Sequence, residues 1–237
     1  VRPRLVLFDI DGTLLSSQGA GGRALKGALR EVFGRLGPMD GYSFAGRTDP
    51  QIVLDLMRRA GFREGFIREK MPLVFELYLQ RLPEEIRKGL PPTLFPGVLP
   101  LLKALKREER AILGLLTGNI EAGAEIKLAA LNLQDYFSVG AYGSDAEERN
   151  HLPWIVLQRV RGKFDRHLNE GDMVVIGDTP LDVGCAREVG ARSIAVATGV
   201  VGREELEGCG ADYLFDDFRE YRRVIAAIFS QDEQGSV

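Results

Sequence analysis

The sequence predicts an α/β fold, a doubly wound parallel sheet with an inserted helical unit, and three features carry that prediction. Short apolar runs recur at 5–8, 111–116, 173–176 and 193–197, with weaker ones at 137–142 and 213–215. They lack period-two alternation, as expected of parallel strands buried on both faces. Helical patterns separate most of them, and alternating strand and helix implies a doubly wound sheet. One stretch, from about 16 to 95, breaks the alternation and shows only helical periodicity.

In chain order, the first strand is Leu5 to Phe8. The insert follows, with apolar stripes at Leu25, Ala28, Leu29, Val32, Phe33 and Leu36, then at Ile52, Val53, Leu56, Met57 and Ala60, then from Phe66 to Leu82. Its middle helix is punctuated by Asp49 as N-cap, Pro50 at the first helical position and Gly61 just past the end. The stretches "SSQGAGG" (16–22) and "PPTLFPG" (91–97) are its expected hinges. The chain therefore divides into a core of 1–15 and 96–237 and a helical cap of 16–95. In the core, helices expected at 98–106, 121–131, 153–160 and 180–189 alternate with the strands, and the last seven or so residues read as a frayed tail.

A chain of 237 residues suits one medium domain with a smaller insertion. Its net charge of -3 and pI near 5.6 favour neither nucleic acid nor an anionic membrane as partner. The two cysteines form no CxxC pair, and no apolar run approaches the roughly 18 residues needed to span a bilayer. The N-terminus enters a strand-like segment without the charged start and apolar stretch of a signal peptide, so a cytoplasmic location is expected.

In an open parallel sheet, ligands bind beyond the carboxyl ends of the strands. The first strand runs into Asp9-Ile10-Asp11-Gly12-Thr13, the run from Ala111 into Thr117-Gly118-Asn119, and the run from Met173 into Gly177-Asp178-Thr179-Pro180-Leu181-Asp182. Each alone could be a turn or a helix cap. Together, at successive strand ends, they are hard to explain as three independent caps. Four carboxylates on one rim would repel, and a divalent cation is the natural counter-charge. The donors are all oxygens, with no His or Cys cluster, which favours Mg²⁺ over Zn²⁺. Because Mg²⁺ takes one or two carboxylates plus substrate phosphate, the rim also needs a phosphoryl group. Thr117, with the backbone N–H groups of Gly118 and Asn119 after it, sits where a strand hands over to a helix and an anion can be held.

The stretches "FDIDGTL", "LLTGN" and "VVIGDTPLDV" resemble the first, second and fourth signature motifs of the haloacid dehalogenase superfamily. The resemblance spans nearly the whole chain and is greatest to the phosphoglycolate phosphatase-like branch, with a helical cap after the first motif. It implies a Rossmann-like core and Mg²⁺-dependent phosphoryl transfer through an aspartyl-phosphate. By the same resemblance Asp9 is the nucleophile and a metal ligand. Asp11 is the general acid/base with its carbonyl on the metal, Thr117 binds phosphoryl oxygens, and Asp178 and Asp182 are metal ligands. Dehalogenases of this fold lack the second acid, so Asp11 points to phosphate esters.

The third motif departs from the pattern. Where the family has a Lys followed by Pro, this chain reads "SDAEERNHLPWIVLQR", and Arg149 is the candidate cation because it shortly precedes the helix at 153–160. Arg is always charged and grips phosphate bidentately. His151, His167, Cys185, Cys209 and the basic "RVRGKFDRH" read as surface or structural features, and "GAGGRA" as a hinge.

Substrate identity is expected from the cap, where Arg23 and the run Gly46-Arg47-Thr48-Asp49 are polar. Arg47 is expected to contact an anionic or hydroxylated leaving group, against the competing reading of this run as helix punctuation. The function expected is a Mg²⁺-dependent phosphatase for a small phosphorylated metabolite of phosphoglycolate or sugar-phosphate type. The alternatives are a β-phosphoglucomutase-like phosphomutase and a non-catalytic phospho-acceptor or binding protein.

Overall fold

The computed structural model describes residues 3–164 and 168–230. Strand β1 (Arg4–Phe8) is followed by β2 (Leu15–Ser16) and by three helices, α1 (Ala20–Phe33), α2 (Asp49–Arg59) and α3 (Glu64–Lys88). The chain returns through β3 (Thr93–Leu94), α4 (Val98–Lys106), β4 (Ala111–Thr117), α5 (Glu121–Ala129) and β5 (Val139–Tyr142). It continues with α6 (Leu152–Lys163), β6 (Met173–Gly177), α7 (Pro180–Glu188), β7 (Arg192–Val196), α8 (Arg203–Gly208), β8 (Tyr213–Phe215) and α9 (Tyr221–Phe229).

The main sheet is parallel throughout, in the order β5-β4-β1-β6-β7-β8. Alternate side chains of β1 serve opposite faces. Val6 and Phe8 pack with α4 and α9, while Leu5 and Leu7 pack with α6 and α7. Burial of both sets explains the continuous apolar run. The three helices of the insert enclose a separate core built on Leu25, Leu29, Val53, Met57, Val74 and Tyr78, into which Ile120 from the main body also inserts.

Several expectations are revised by packing. The insert is bracketed by a two-residue antiparallel ladder, Leu15 opposite Leu94 and Ser16 opposite Thr93, too short for periodicity to reveal. Helix α1 starts at Ala20, so only the first part of the expected hinge at 16–22 is non-helical. The N-cap of α2 is Thr48, not Asp49: Thr48 is extended and its Oγ accepts the Gln51 N–H at 3.2 Å. Helix α3 runs on to Lys88 through Pro72 and Pro83, and α8 and α9 were not anticipated. His167 and the expected tail, the seven residues from 231 on, lie outside the described residues.

Candidate active site

Strand order turns at β1: the chain leaves it outward through β4 and β5 and comes back to β6 on its other side. The carboxyl ends of β4, β1 and β6 therefore open one crevice. Asp9 follows β1 directly, and its N–H bonds the Ile176 carbonyl at 3.0 Å, which ties it to β6. The chain then turns at Gly12, whose φ is +86°; a Cβ there would lie 2.2 Å from Asp178 Oδ2, so a side chain is excluded twice over. Thr13 Oγ1 donates to Asp178 Oδ1 at 2.9 Å and aims that carboxylate at Asp9.

Asp9, Asp178 and Asp182 are all buried, and each places a carboxylate oxygen within 4.8 Å of the others. Arg149 closes the group from the turn before α6 and is only 5 % exposed. Its Nη2 lies 2.6 Å from Asp182 Oδ1 and 3.3 Å from Asp9 Oδ1, and also donates to the Leu116 carbonyl at 3.2 Å. Its Nη1 donates to the Gly46 carbonyl at 3.1 Å. One guanidinium thus faces three carboxylates. Burial pushes the Asp9 carboxyl up to about 6, with Arg149 opposing and Asp182 adding to the rise. Burial with the charges of Asp9 and Asp182 pushes Asp178 well above the ordinary carboxylate range. A buried all-oxygen set that is short of positive charge fits a hard divalent cation. Asp182 is already engaged at both oxygens, by Arg149 and by the Thr179 hydroxyl (2.7 Å) and N–H (3.1 Å), so it also completes a capping box for α7.

Asp11 faces the other way. Its Oδ2 accepts from Lys127 Nζ at 2.5 Å and from Asn119 Nδ2 at 2.9 Å, and its Oδ1 accepts from Ser17 Oγ at 3.0 Å. Burial raises its carboxyl, but the charge and hydrogen bond of Lys127, with Asn119 and Ser17, outweigh that and hold it below the ordinary value. The side chain still keeps 37 % of its surface exposed. Asn119 Nδ2 also donates to Thr117 Oγ1 at 2.8 Å, so the hydroxyl and amide at the end of β4 are fixed to each other.

These groups line one cavity of about 680 Å³ between the sheet rim and the helical insert. Asp9, Asp11, Thr117, Lys127, Arg149 and Asp178 form its core side; Tyr42, Phe44, Arg47, Ile52 and Tyr78 face them. The insert is docked closely here. A Cβ on Gly118 would sit 2.0 Å from the Arg47 carbonyl, so glycine permits the approach. The Asp49 N–H bonds the Gly118 carbonyl at 2.7 Å, and Asp49 Oδ2 accepts the Ile120 N–H at 2.9 Å.

The residues singled out in the sequence therefore separate into groups. Asp9, Asp178, Asp182 and Arg149 form one cluster, and Asp11, Thr117 and Asn119 a second beside it. The Arg47 guanidinium lies against the Tyr42 ring and Asp55 Oδ2, 3.3 Å away, at the cavity wall. Thr48 turns its hydroxyl away from the cavity to the Glu147 carbonyl at 2.6 Å. Arg23 pairs with Glu85, and His151 is exposed. Sequence reasoning missed Lys127. The signal was present, since Lys127 shares the buried stripe of α5 with Gly123, Ala124 and Leu128, where a lysine needs a partner.

Residues 6–196 match the family model described as haloacid dehalogenase-like hydrolase. The phosphoglycolate phosphatase of Synechococcus elongatus is 28 % identical over 231 residues, 95 % of this chain and 99 % of that one. That of Chromobacterium violaceum is 29 % identical, covering 92 % and 94 %. The crystal structure of a predicted phosphatase from Clostridium acetobutylicum superposes with a TM-score of 0.71 at 21 % identity, over 95 % of this chain and 99 % of that one, which supports the fold. Among the described residues no helix is long and apolar enough to cross a membrane. The chain belongs to the haloacid dehalogenase-like hydrolases and is an enzyme of their phosphatase type.

Proposed function

We propose that this enzyme hydrolyses a small phosphorylated metabolite of the phosphoglycolate or sugar-phosphate kind, through a covalent phosphate on Asp9. The observation that carries the reading is the pairing of two acid sites on one cavity. Asp9 sits in a carboxylate cluster with Arg149, and Asp11 stands beside it with part of its carboxylate open. In the first step an Asp9 oxygen attacks phosphorus, the bond to the leaving oxygen breaks, and Asp11 passes that oxygen a proton. The negative charge of the arriving phosphate raises the proton affinity of Asp11 for this purpose. In the second step Asp11 takes a proton from water as that water displaces Asp9 from phosphorus. Thr117 and Arg149 hold the phosphoryl oxygens while charge develops on them.

Asp9 and Asp178, with the Asp11 carbonyl, would hold Mg²⁺, and Asp182 would steer them through Arg149 or a bridging water. Bound there, Mg²⁺ supplies charge neutralisation for the transferring group. Ligand carboxyls must be ionised to bind it, so Mg²⁺ affinity is expected to fall as pH drops through about 6, where protons hold Asp9. Calorimetric titrations at pH 5.5 and 7.5 check this, and equal affinity at both would count against it.

The helical unit of 16–95 acts as a cap in this reading and selects the leaving group, in keeping with the cavity it closes. The named activity of the relatives suits a small phosphorylated metabolite as substrate. Arg47→Ala is expected to raise KM severalfold for carboxylate-bearing esters and to change kcat little. Steady-state kinetics on glycerol phosphate and phosphoglycolate side by side would show it. The decisive experiment is a phosphate-release screen over phosphate monoesters with and without Mg²⁺. Free phosphate from one narrow group of esters is expected, and transfer of phosphate to a second sugar would instead indicate a mutase.

A further inference from the structure

We propose that Lys127 is a positioning residue for Asp11, holding the carboxylate in the one orientation in which it serves the leaving oxygen and then water. This inference rests on the acid–base role of Asp11 proposed above. Lys127 lies 116 residues from Asp11 in the chain and reaches it from the last turns of α5. Its side chain is 6 % exposed, and its Nζ donates at 2.5 Å to both Asp11 Oδ2 and Asn119 Oδ1. Asn119 in turn donates to that same Asp11 oxygen and to Thr117. One oxygen of Asp11 is thereby saturated from behind by a cation and an amide. The other carries a single bond, from Ser17, and is the oxygen left available for proton transfer.

The geometry is more specific than a structural ion pair requires. A buried ammonium needs partners, and its hydrogen-bond partners here come from the turn after β1 and the loop after β4, while Asp49 of α2 and Tyr78 of α3 act on it only through the electrostatic field. A lysine that only tied the insert to the core could bond Asp49 and leave Asp11 alone. Instead its hydrogen bonds go to Asp11 and Asn119. Lys127 does not itself reach the reacting atoms in this role and acts through Asp11.

The test uses p-nitrophenyl phosphate and glycerol phosphate with the full chain and Mg²⁺. Nitrophenolate departs with little acid assistance, so phosphorylation of Asp9 by p-nitrophenyl phosphate depends weakly on Asp11, whereas the water step depends on it fully. Lys127→Met is expected to keep a nitrophenolate burst near one equivalent per enzyme while the following steady-state rate falls about 10- to 100-fold. Turnover of glycerol phosphate, whose leaving alkoxide needs the proton, should fall at least as far. Lys127→Gln retains a neutral donor and is expected to recover part of the lost rate; it carries the comparison alone if Lys127→Met does not fold. Variants with unchanged steady-state rates, or with burst and steady state reduced in proportion, would overturn the role of Lys127 and leave the phosphatase reading standing. A wild-type enzyme that turns over neither these esters nor any member of the screen would overturn both.

Discussion

Asp9→Asn is expected to abolish turnover and, in metal-free protein, to raise the melting temperature. The amide cannot attack phosphorus, so kcat should drop by about four orders of magnitude or more, as when a covalent nucleophile is removed elsewhere. The gain in stability follows from the same burial. A carboxyl whose folded value, about 6, lies above its usual 3.8 favours the folded state at low pH, and that contribution is lost as pH rises through 6. At pH 7.5 the ionised Asp9 therefore costs roughly 1–3 kcal/mol, which the neutral amide avoids. A few degrees of added melting temperature are expected at pH 7.5, shrinking to nothing below about pH 4. Thermal melts of both proteins with chelator across that range check the sign. A variant that melts lower than wild type at pH 7.5 would contradict it.

Arg149→Met is expected to damage both stability and chemistry. Removing the guanidinium leaves Asp9, Asp178 and Asp182 buried together without their counter-charge, and breaking one side of a buried charge group costs about 3–5 kcal/mol. For a chain of this size that is roughly a 10 °C loss of melting temperature. Loss of a donor to the transferring phosphoryl group should lower kcat about 10²- to 10³-fold in addition. Arg149→Lys separates the contributions. An ammonium can stay near Asp9 and Asp182 but cannot also span to the Gly46 and Leu116 carbonyls, so stability should return further than activity. Added Mg²⁺ should restore part of the melting temperature of Arg149→Met, because the cation replaces the missing charge. If Arg149→Met melted within a degree or two of wild type, the buried cluster would not hold the charges assigned to it.

Much of the fold was legible because its signals are local. The run Leu5 to Phe8 is apolar throughout because both faces of β1 are buried, and α4 was bounded at Val98 and Lys106 by its own apolar stripe. Signals that depend on the partner were not legible. Asp49 looks like an N-cap, but its carboxylate is drawn across to the Ile120 N–H and Thr48 takes the capping place. The apolar stripe of the last insert helix is read only from Phe66 to Leu82, yet α3 runs from Glu64 through Pro83 to Lys88, with Leu82 buried in the core of the insert. Motif order points to Arg149 in the run "EERNH" as the cation, but only the fold shows that it is buried while His151 two residues on is exposed.

The sequence by itself determined the alternation of strands and helices, the helical insert, and the acids and hydroxyls at three strand ends, since each is written in neighbouring residues. Tertiary structure decided that β1 lies between β4 and β6, and hence that Asp9, Thr117 and Asp178 share one crevice. It also decided that a lysine on the buried stripe of α5 would end beside Asp11. The physical reason is that a buried charge is tolerated only where distant elements bring it partners, and which elements meet is a property of strand order that no short stretch of sequence contains.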